Sequence, residues 1–296
     1  MMPPWMDAEP DRCLTLNQGP HRVRVAPAAG GRILNWTTDL PEGPREWLVP
    51  IEATNWPAHE WPKGGLFPLA PFSNRIRDAR LRWEGRTLKV DPLPGHPHAL
   101  HGQAQRMAWN VIQTEADLAV LEVHHPAGDD GWPWAWSLRQ TIRLSVEGLD
   151  IELALRNQDP RRMPAGLGLH PYFTACGTRL DATTDWAHEQ ELALFPRPNR
   201  QDSWQRTDTT WTAFLSGWSG HAAIQWPSGP GLALRVRGPL DHVVLHCNAG
   251  RYLCVEPATH VCDAVNLAAA GAPGTGLITL DPGETLSVGM TLNIQR

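Results

Sequence analysis

The chain has 296 residues, 42% of them apolar and 19% charged, enough to bury about three quarters of the surface its unfolded form would expose. That excludes a disordered tail and a peptide held by disulfide staples, and 26 basic against 31 acidic residues lack the basic excess that phosphate backbones select. No run reaches 18 uninterrupted apolar residues, and Met1-Met2-Pro3-Pro4-Trp5-Met6-Asp7 has no charged stretch leading into an apolar one; the expectation is a cytoplasmic protein without nucleic-acid or membrane partners.

Taken in chain order, the first clear pattern is a hairpin over Leu81 to Val90 with its turn at Glu84-Gly85, followed by another over Trp109 to His124 turning at Ala116-Asp117. From Trp136 to Val146 the even positions read Trp, Leu, Gln, Ile, Leu, Val and the odd ones are polar, a period of two with one polar exception. After Glu147-Gly148 the alternation resumes with Leu149, Ile151, Leu153 and Leu155, which predicts a long antiparallel hairpin with one face in the core. Leu277 to Leu280, the turn Asp281-Pro282-Gly283-Glu284 and the alternating run Leu286 to Ile294 predict strands at the C-terminus. No segment sustains a 3.6 period, and 28 Pro with 26 Gly interrupt most candidates, so the fold class is all-β: a large antiparallel β-sandwich with few short helices. Pro41 to Phe72, Asp91 to Arg106 and Asp181 to Thr210 read as loops within one domain over 1–296, with an irregular segment over 1–20.

Cys13, Cys176, Cys247, Cys254 and Cys262 form no C-x-x-C pair and are odd in number, which indicates buried thiols rather than disulfides or a zinc ribbon. The phosphate loop, the H-E-x-x-H helix and the G-x-S-x-G elbow are absent; Gly217-Trp218-Ser219-Gly220 misses the last by one position. Fifteen Trp against two Tyr serve as core filler or as platforms for a sugar ring, with Trp36, Trp61, Trp211 and Trp218 nearest the loops of interest.

Asn74-Arg75 sets an amide beside a guanidinium, suited to a pair of polyol oxygens or a carboxylate, or else to a surface salt bridge. His96, His98 and His101 lie in a run interrupted by Pro97 and flanked by Gly95 and Gly102, a turn-like setting that favours hydrogen bonding to a neutral ligand over metal binding, so no metal is expected. His170, between apolar residues and before Pro171, reads as a core histidine or as a general acid. Glu256, before Pro257 at the end of an apolar run, reads as a surface acid or, if buried, as a base.

From about Gly30 onward the chain resembles the aldose 1-epimerase (galactose mutarotase) family. The matching pieces come in the family's order: Asn74-Arg75-Ile76, Leu100-His101-Gly102, His170-Pro171-Tyr172-Phe173, and Val255-Glu256-Pro257 with Asp263-Ala264 and Asn266. The resemblance implies a β-sandwich isomerase that acts on a monosaccharide without metal or organic cofactor, as a monomer or homodimer. It implies Glu256 as general base and His170 as general acid, on opposite sides of the ring. Asn74, Arg75, His101 and Tyr172 would then hold the sugar, with Asp208 as the sugar-binding aspartate; Asp202 and Asp241 compete for that role. The neighbourhood of the acid matches a shorter branch of the family, in which galactose specificity is not implied. Two alternatives stay open: a mutarotase for hexose 6-phosphates, with Arg32, Arg161 and Arg162 as phosphate ligands, and a non-catalytic carbohydrate-binding protein on the same fold.

Overall fold

The computed structural model describes residues 13–54, 56, 62–128 and 131–295, and strands make up most of their regular structure. The long hairpin forms as its alternation predicts: Trp136–Leu144 pairs antiparallel with Gly148–Asn157, burying Leu138, Ile142, Ile151 and Leu153. Its polar exception, Gln140, is buried too, and its Nε2 donates to the Gly31 carbonyl at 3.2 Å, the partner that a buried amide requires. The turns at Glu84-Gly85 and Ala116-Asp117 join Arg80–Trp83 to Arg86–Lys89 and Asn110–Thr114 to Leu118–His125. Among the described residues, helical structure is limited to Ala264–Ala269 and short 3-10 turns.

Two large antiparallel sheets carry the fold. The nine-stranded sheet runs in the order Asn110–Thr114, Leu118–His125, Trp136–Leu144, Gly148–Asn157, Thr285–Gln295, Gly231–Arg237, His221–Gln225, Gly177–Leu180, Ser203–Gln205. The eleven-stranded sheet runs Leu14–Gln18, His21–Ala26, Arg32–Leu40, Leu66–Leu69, Gly168–Phe173, Tyr252–Ala258, His242–Asn248, Trp211–Ser216, Thr184–Glu189, Leu192–Pro198, with Gly43–Glu46 paired to Arg32–Leu40. Leu169, Leu245, Leu253 and Val255 of this sheet share one apolar core with Leu138, Ile151 and Leu292 of the other. Because side chains alternate along a strand, Tyr172, Tyr252 and Cys254 pack in a separate cluster with Phe67 and Leu69. The candidate site lies on this second face.

Several expectations change. Pro41 to Phe72, read as loop, contains the strands Gly43–Glu46 and Leu66–Leu69, and Asp91 to Arg106 contains the short strand Ala99–Leu100. The N-terminal stretch read as irregular contains the strand Leu14–Gln18, paired with His21–Ala26, while residues 1–12 lie outside the described residues. Ile278–Leu280 forms, but pairs with Met163–Ala165 rather than with the last strand. Asp181 to Thr210, read as loop, contains a hairpin of Thr184–Glu189 and Leu192–Pro198. Beyond Ala193 its second strand is exposed, so it carries no apolar alternation. At one edge of the nine-stranded sheet, all of Asn110–Thr114 is exposed, and Ile112 bulges out where the register slips between Val111 and Gln113.

Candidate active site

Gly168–Phe173 and Tyr252–Ala258 are neighbours near the middle of the eleven-stranded sheet, yet their ladder is interrupted. Pairing holds at Gly168 with Ala258 and resumes only at Tyr172 with Cys254. Pro171 and Pro257 fall inside the gap, and neither has an N–H to donate. The same register sets His170 across from Glu256 on one face, with Nε2 3.4 Å from Oε1. Both residues are about 95% buried, and His170 Nδ1 and Glu256 Oε2 have no hydrogen-bond partner among the described residues. The imidazole packs against two rings that also neighbour each other, with centroids at 4.7 Å for Phe67 and 4.6 Å for Tyr172, and the Arg32 guanidinium lies 4.1 Å from the Phe67 centroid.

A short ladder, Arg75 with Leu100 and Ile76 with Ala99, brings the two loop motifs together, and the His101 N–H donates to the Asn74 carbonyl at 2.8 Å. Asn74 and His101 both have positive φ, 56° and 60°, a conformation that persists where surrounding contacts hold it. Gly102 follows directly and packs against Ala70, whose carbonyl oxygen any Cβ at position 102 would strike. The Asn74–Arg82 segment is held from behind by Asp263, whose N–H donates to Arg75 O at 2.9 Å and whose Oδ1 accepts from Arg77 N–H at 3.0 Å. Asn266 bonds Arg80 O and Arg82 N–H, each at 2.9 Å. The Asp-Ala and Asn of the C-terminal motif therefore brace the loop that carries Asn74 and Arg75.

These elements enclose a cleft of about 530 Å³ lined by Asn74, Arg75, His101, His170, Tyr172 and Glu256, six of the seven site residues expected from the sequence. Burial pushes the Glu256 carboxyl up to about 8, against the opposing pull of the Arg75 and Lys63 charges. Burial also holds His170 well below its ordinary value, with His101 and His246 adding to the effect, and it lowers His101 in the same way. Lys63, on the rim, falls to about 8 through burial and the nearby Arg32 charge. His170 and Glu256 thus stand side by side rather than across a ring. His170, Cys254 and Glu256 also bring potential metal-ligand atoms within 4.8 Å of one another.

Asp208 is the expected residue that does not join the group. It is exposed, near Gly250, and absent from the cleft lining; its competitors fare no better, since Asp202 pairs with Arg179 and Asp241 with His242. The proposed phosphate ligands are elsewhere as well. Arg32 is fully buried beneath Phe67 with its Nη1 on the Pro62 and Gly64 carbonyls, Arg161 pairs with Asp159, and Arg162 with Asp281. Among the described residues no tryptophan lines the cleft: Trp36 and Trp218 are buried, and Trp211 packs against the core from its edge. Trp61 lies outside the described residues. A larger groove of about 1200 Å³ borders His21, but that imidazole bonds Thr38 Oγ1 at 2.8 Å and the Val146 carbonyl at 3.3 Å.

The sequence profile of the aldose 1-epimerase family matches residues 12–293. The chain belongs to the aldose 1-epimerase family. Among similar proteins, the uncharacterized protein YphB of Escherichia coli K12 is 28% identical over 249 residues, covering 77% of this chain and 83% of that protein. A candidate aldose 1-epimerase from E. coli K12 superposes with a TM-score of 0.82 at 24% identity, covering 96% and 98% of the two chains. A GalM/aldose epimerase homologue from C. elegans does so with 0.81 at 15% identity, covering 96% and 98%. These superpositions establish a shared β-sandwich fold.

In this aldose 1-epimerase family member the cleft also contains Lys63, Glu191, His246 and Tyr252, which the sequence reading missed. Both tyrosines of the chain, Tyr172 and Tyr252, are in the cleft, in edge-to-face contact at 4.8 Å. Parity was the available signal for Tyr252, since positions 252, 254 and 256 of one strand share a face. His246 follows from the register of the adjoining strand, where it pairs with Cys254.

Proposed function

We propose that the protein is an aldose 1-epimerase that interconverts the α and β anomers of a free aldose, with Glu256 as base and His170 as acid. The observation that carries this reading is the side-by-side burial of the two groups, 3.4 Å apart, at the floor of a polar cleft. The anomeric hydroxyl and the ring oxygen are bonded to the same carbon, so the groups that serve them must be neighbours. Glu256 accepts the proton of the anomeric hydroxyl while His170 delivers one to the ring oxygen. The bond from C1 to the ring oxygen breaks as the C1 carbonyl forms. After rotation about C1–C2 the ring recloses on the other carbonyl face, with His170 taking its proton back and Glu256 returning the other.

The pair holds one proton in either state, as glutamic acid with neutral imidazole or as carboxylate with imidazolium. Burial favours the uncharged form, and the Arg75 and Lys63 charges favour the carboxylate. Asn74, Arg75, His101 and Tyr172 line the same space and supply donors and acceptors for hydroxyls. Polarimetry of freshly dissolved α-D-galactose and α-D-glucose tests the reading. Wild type should accelerate at least one, and His170→Ala and Glu256→Gln should each lose about 10²- to 10⁴-fold. Sugar binding by wild type without acceleration would instead make this a carbohydrate-binding protein.

A further inference from the structure

Glu191 is an acid in the cleft that the proposed mechanism does not use. It occupies the two-residue turn between Thr184–Glu189 and Leu192–Pro198, where Glu189 pairs with Leu192. Gln190 and Glu191 both have positive φ, 49° and 62°, as type I′ hairpin turns require and as Asn-Gly would satisfy with less strain. The base of the hairpin holds the tip in place: Leu192 and Ala193 are buried with Trp186, Phe214, Val261 and Cys262, and the Cys262 thiol lies 3.5 Å from the Glu191 carbonyl oxygen. From this fixed position Glu191 Oε2 accepts a hydrogen bond from Arg75 Nη2. On the other side, Arg75 is held by Asn74 Oδ1, which accepts from its backbone N–H at 2.9 Å.

The charges lining the cleft are those of Lys63, Arg75, Glu191 and Glu256, along with His96, His101, His170 and His246. Burial drives His101, His170 and His246 toward the neutral form and Glu256 toward the acid form. Without Glu191, the Arg75 guanidinium would lose the carboxylate that pairs with it and would suit a phosphate or a carboxylate. With Glu191, the Arg75 charge is already paired. An anionic substituent reaching Arg75 would have to displace a carboxylate held on a rigid turn and then lie beside it. A hydroxyl both donates and accepts, and so can bond either member of the pair.

We infer that Glu191 is a specificity-determining residue which, by pairing with Arg75, restricts the cleft to uncharged sugars and excludes aldoses bearing a phosphate or carboxylate. This rests on the aldose reading of the cleft given above.

The test compares wild type, Glu191→Gln and Glu191→Asp on D-glucose, D-galactose and their 6-phosphates, by polarimetric kcat/KM and, separately, by titration calorimetry. Wild type should favour the neutral sugars by at least tenfold. Glu191→Gln should shift that ratio at least tenfold toward the phosphates, mainly through KM, and Glu191→Asp, which keeps the charge, should shift it less. An unchanged ratio with turnover intact overturns the inference and leaves the mutarotase reading standing, as does a wild type that prefers phosphates. If no sugar is turned over but the ratio of affinities still shifts at Glu191, the inference stands and the catalytic reading falls. Absence of both binding and turnover for all four sugars overturns both.

Discussion

Glu256 and His170 share one proton across the neutral range, because burial drives the carboxyl up to about 8 and the imidazole well below 6.5. The proposed ring opening needs that single proton: with none, the ring oxygen would lack a donor, and with two, the anomeric hydroxyl would lack an acceptor. Mutarotation should therefore decline as pH rises through about 8 and persist on the acid side until well below 6.5. A kcat/KM profile whose only limb lay near 4.5, the ordinary glutamate value, would contradict this. The same shift bears on stability. A carboxyl raised in the folded state contributes stability that is fully present below 4.5 and is lost as pH rises through about 8. Glu256→Gln removes that titration and should gain roughly 2–4 kcal/mol over wild type at pH 9 relative to pH 6 in urea unfolding; an equal difference at both pH values would refute the account. These two residues were legible because each precedes a proline in an apolar run, which singles out a polar side chain on a strand. Glu191 and Lys63 were not, since they reach the cleft from a hairpin tip and a loop distant in sequence, and nothing local marks them.

Two turns hold side chains of the cleft against the backbone's preference, and they should respond to glycine in opposite ways. At Gly102, φ is +67° and a Cβ would strike Ala70 O, so Gly102→Ala should cost about 2 kcal/mol or more and raise KM by displacing His101. At Gln190, φ is +49°, so Gln190→Gly should stabilise by about 0.5–1 kcal/mol while leaving the Arg75 pair intact. Chemical denaturation of the two variants measures both; destabilisation by Gln190→Gly would show that its side chain contributes something the turn geometry does not. The element scale also separates what alternation revealed from what it hid. The Trp136 to Leu155 hairpin was readable because one face is buried along its full length, whereas Leu192–Pro198 is buried only at Leu192 and Ala193. Gly168–Phe173 and Tyr252–Ala258 are buried on both faces and interrupted by proline, so neither shows a period of two.

At the scale of the molecule, the sandwich separates two tasks. Residues between the sheets, among them Trp36, Leu138, Leu253 and Val255, supply apolar burial, while the opposite face of the eleven-stranded sheet keeps its polar groups for the cleft. Because one apolar cluster takes residues from both sheets, heat should unfold the chain in one cooperative transition, with calorimetric and van't Hoff enthalpies in agreement. Two resolved transitions would mean that the sheets are held less tightly together than their shared core implies. The bulged edge strand Asn110–Thr114 has a different consequence. Val111 and Ile112 are 44% and 52% exposed on a strand with one unpaired side, the arrangement that invites a second chain to add itself. The extra residue bends that margin out of line and spoils the template. Deleting Ile112 should straighten it and convert a chain that coexists with its own copies into one that accretes them, visible as light scattering that grows with protein concentration.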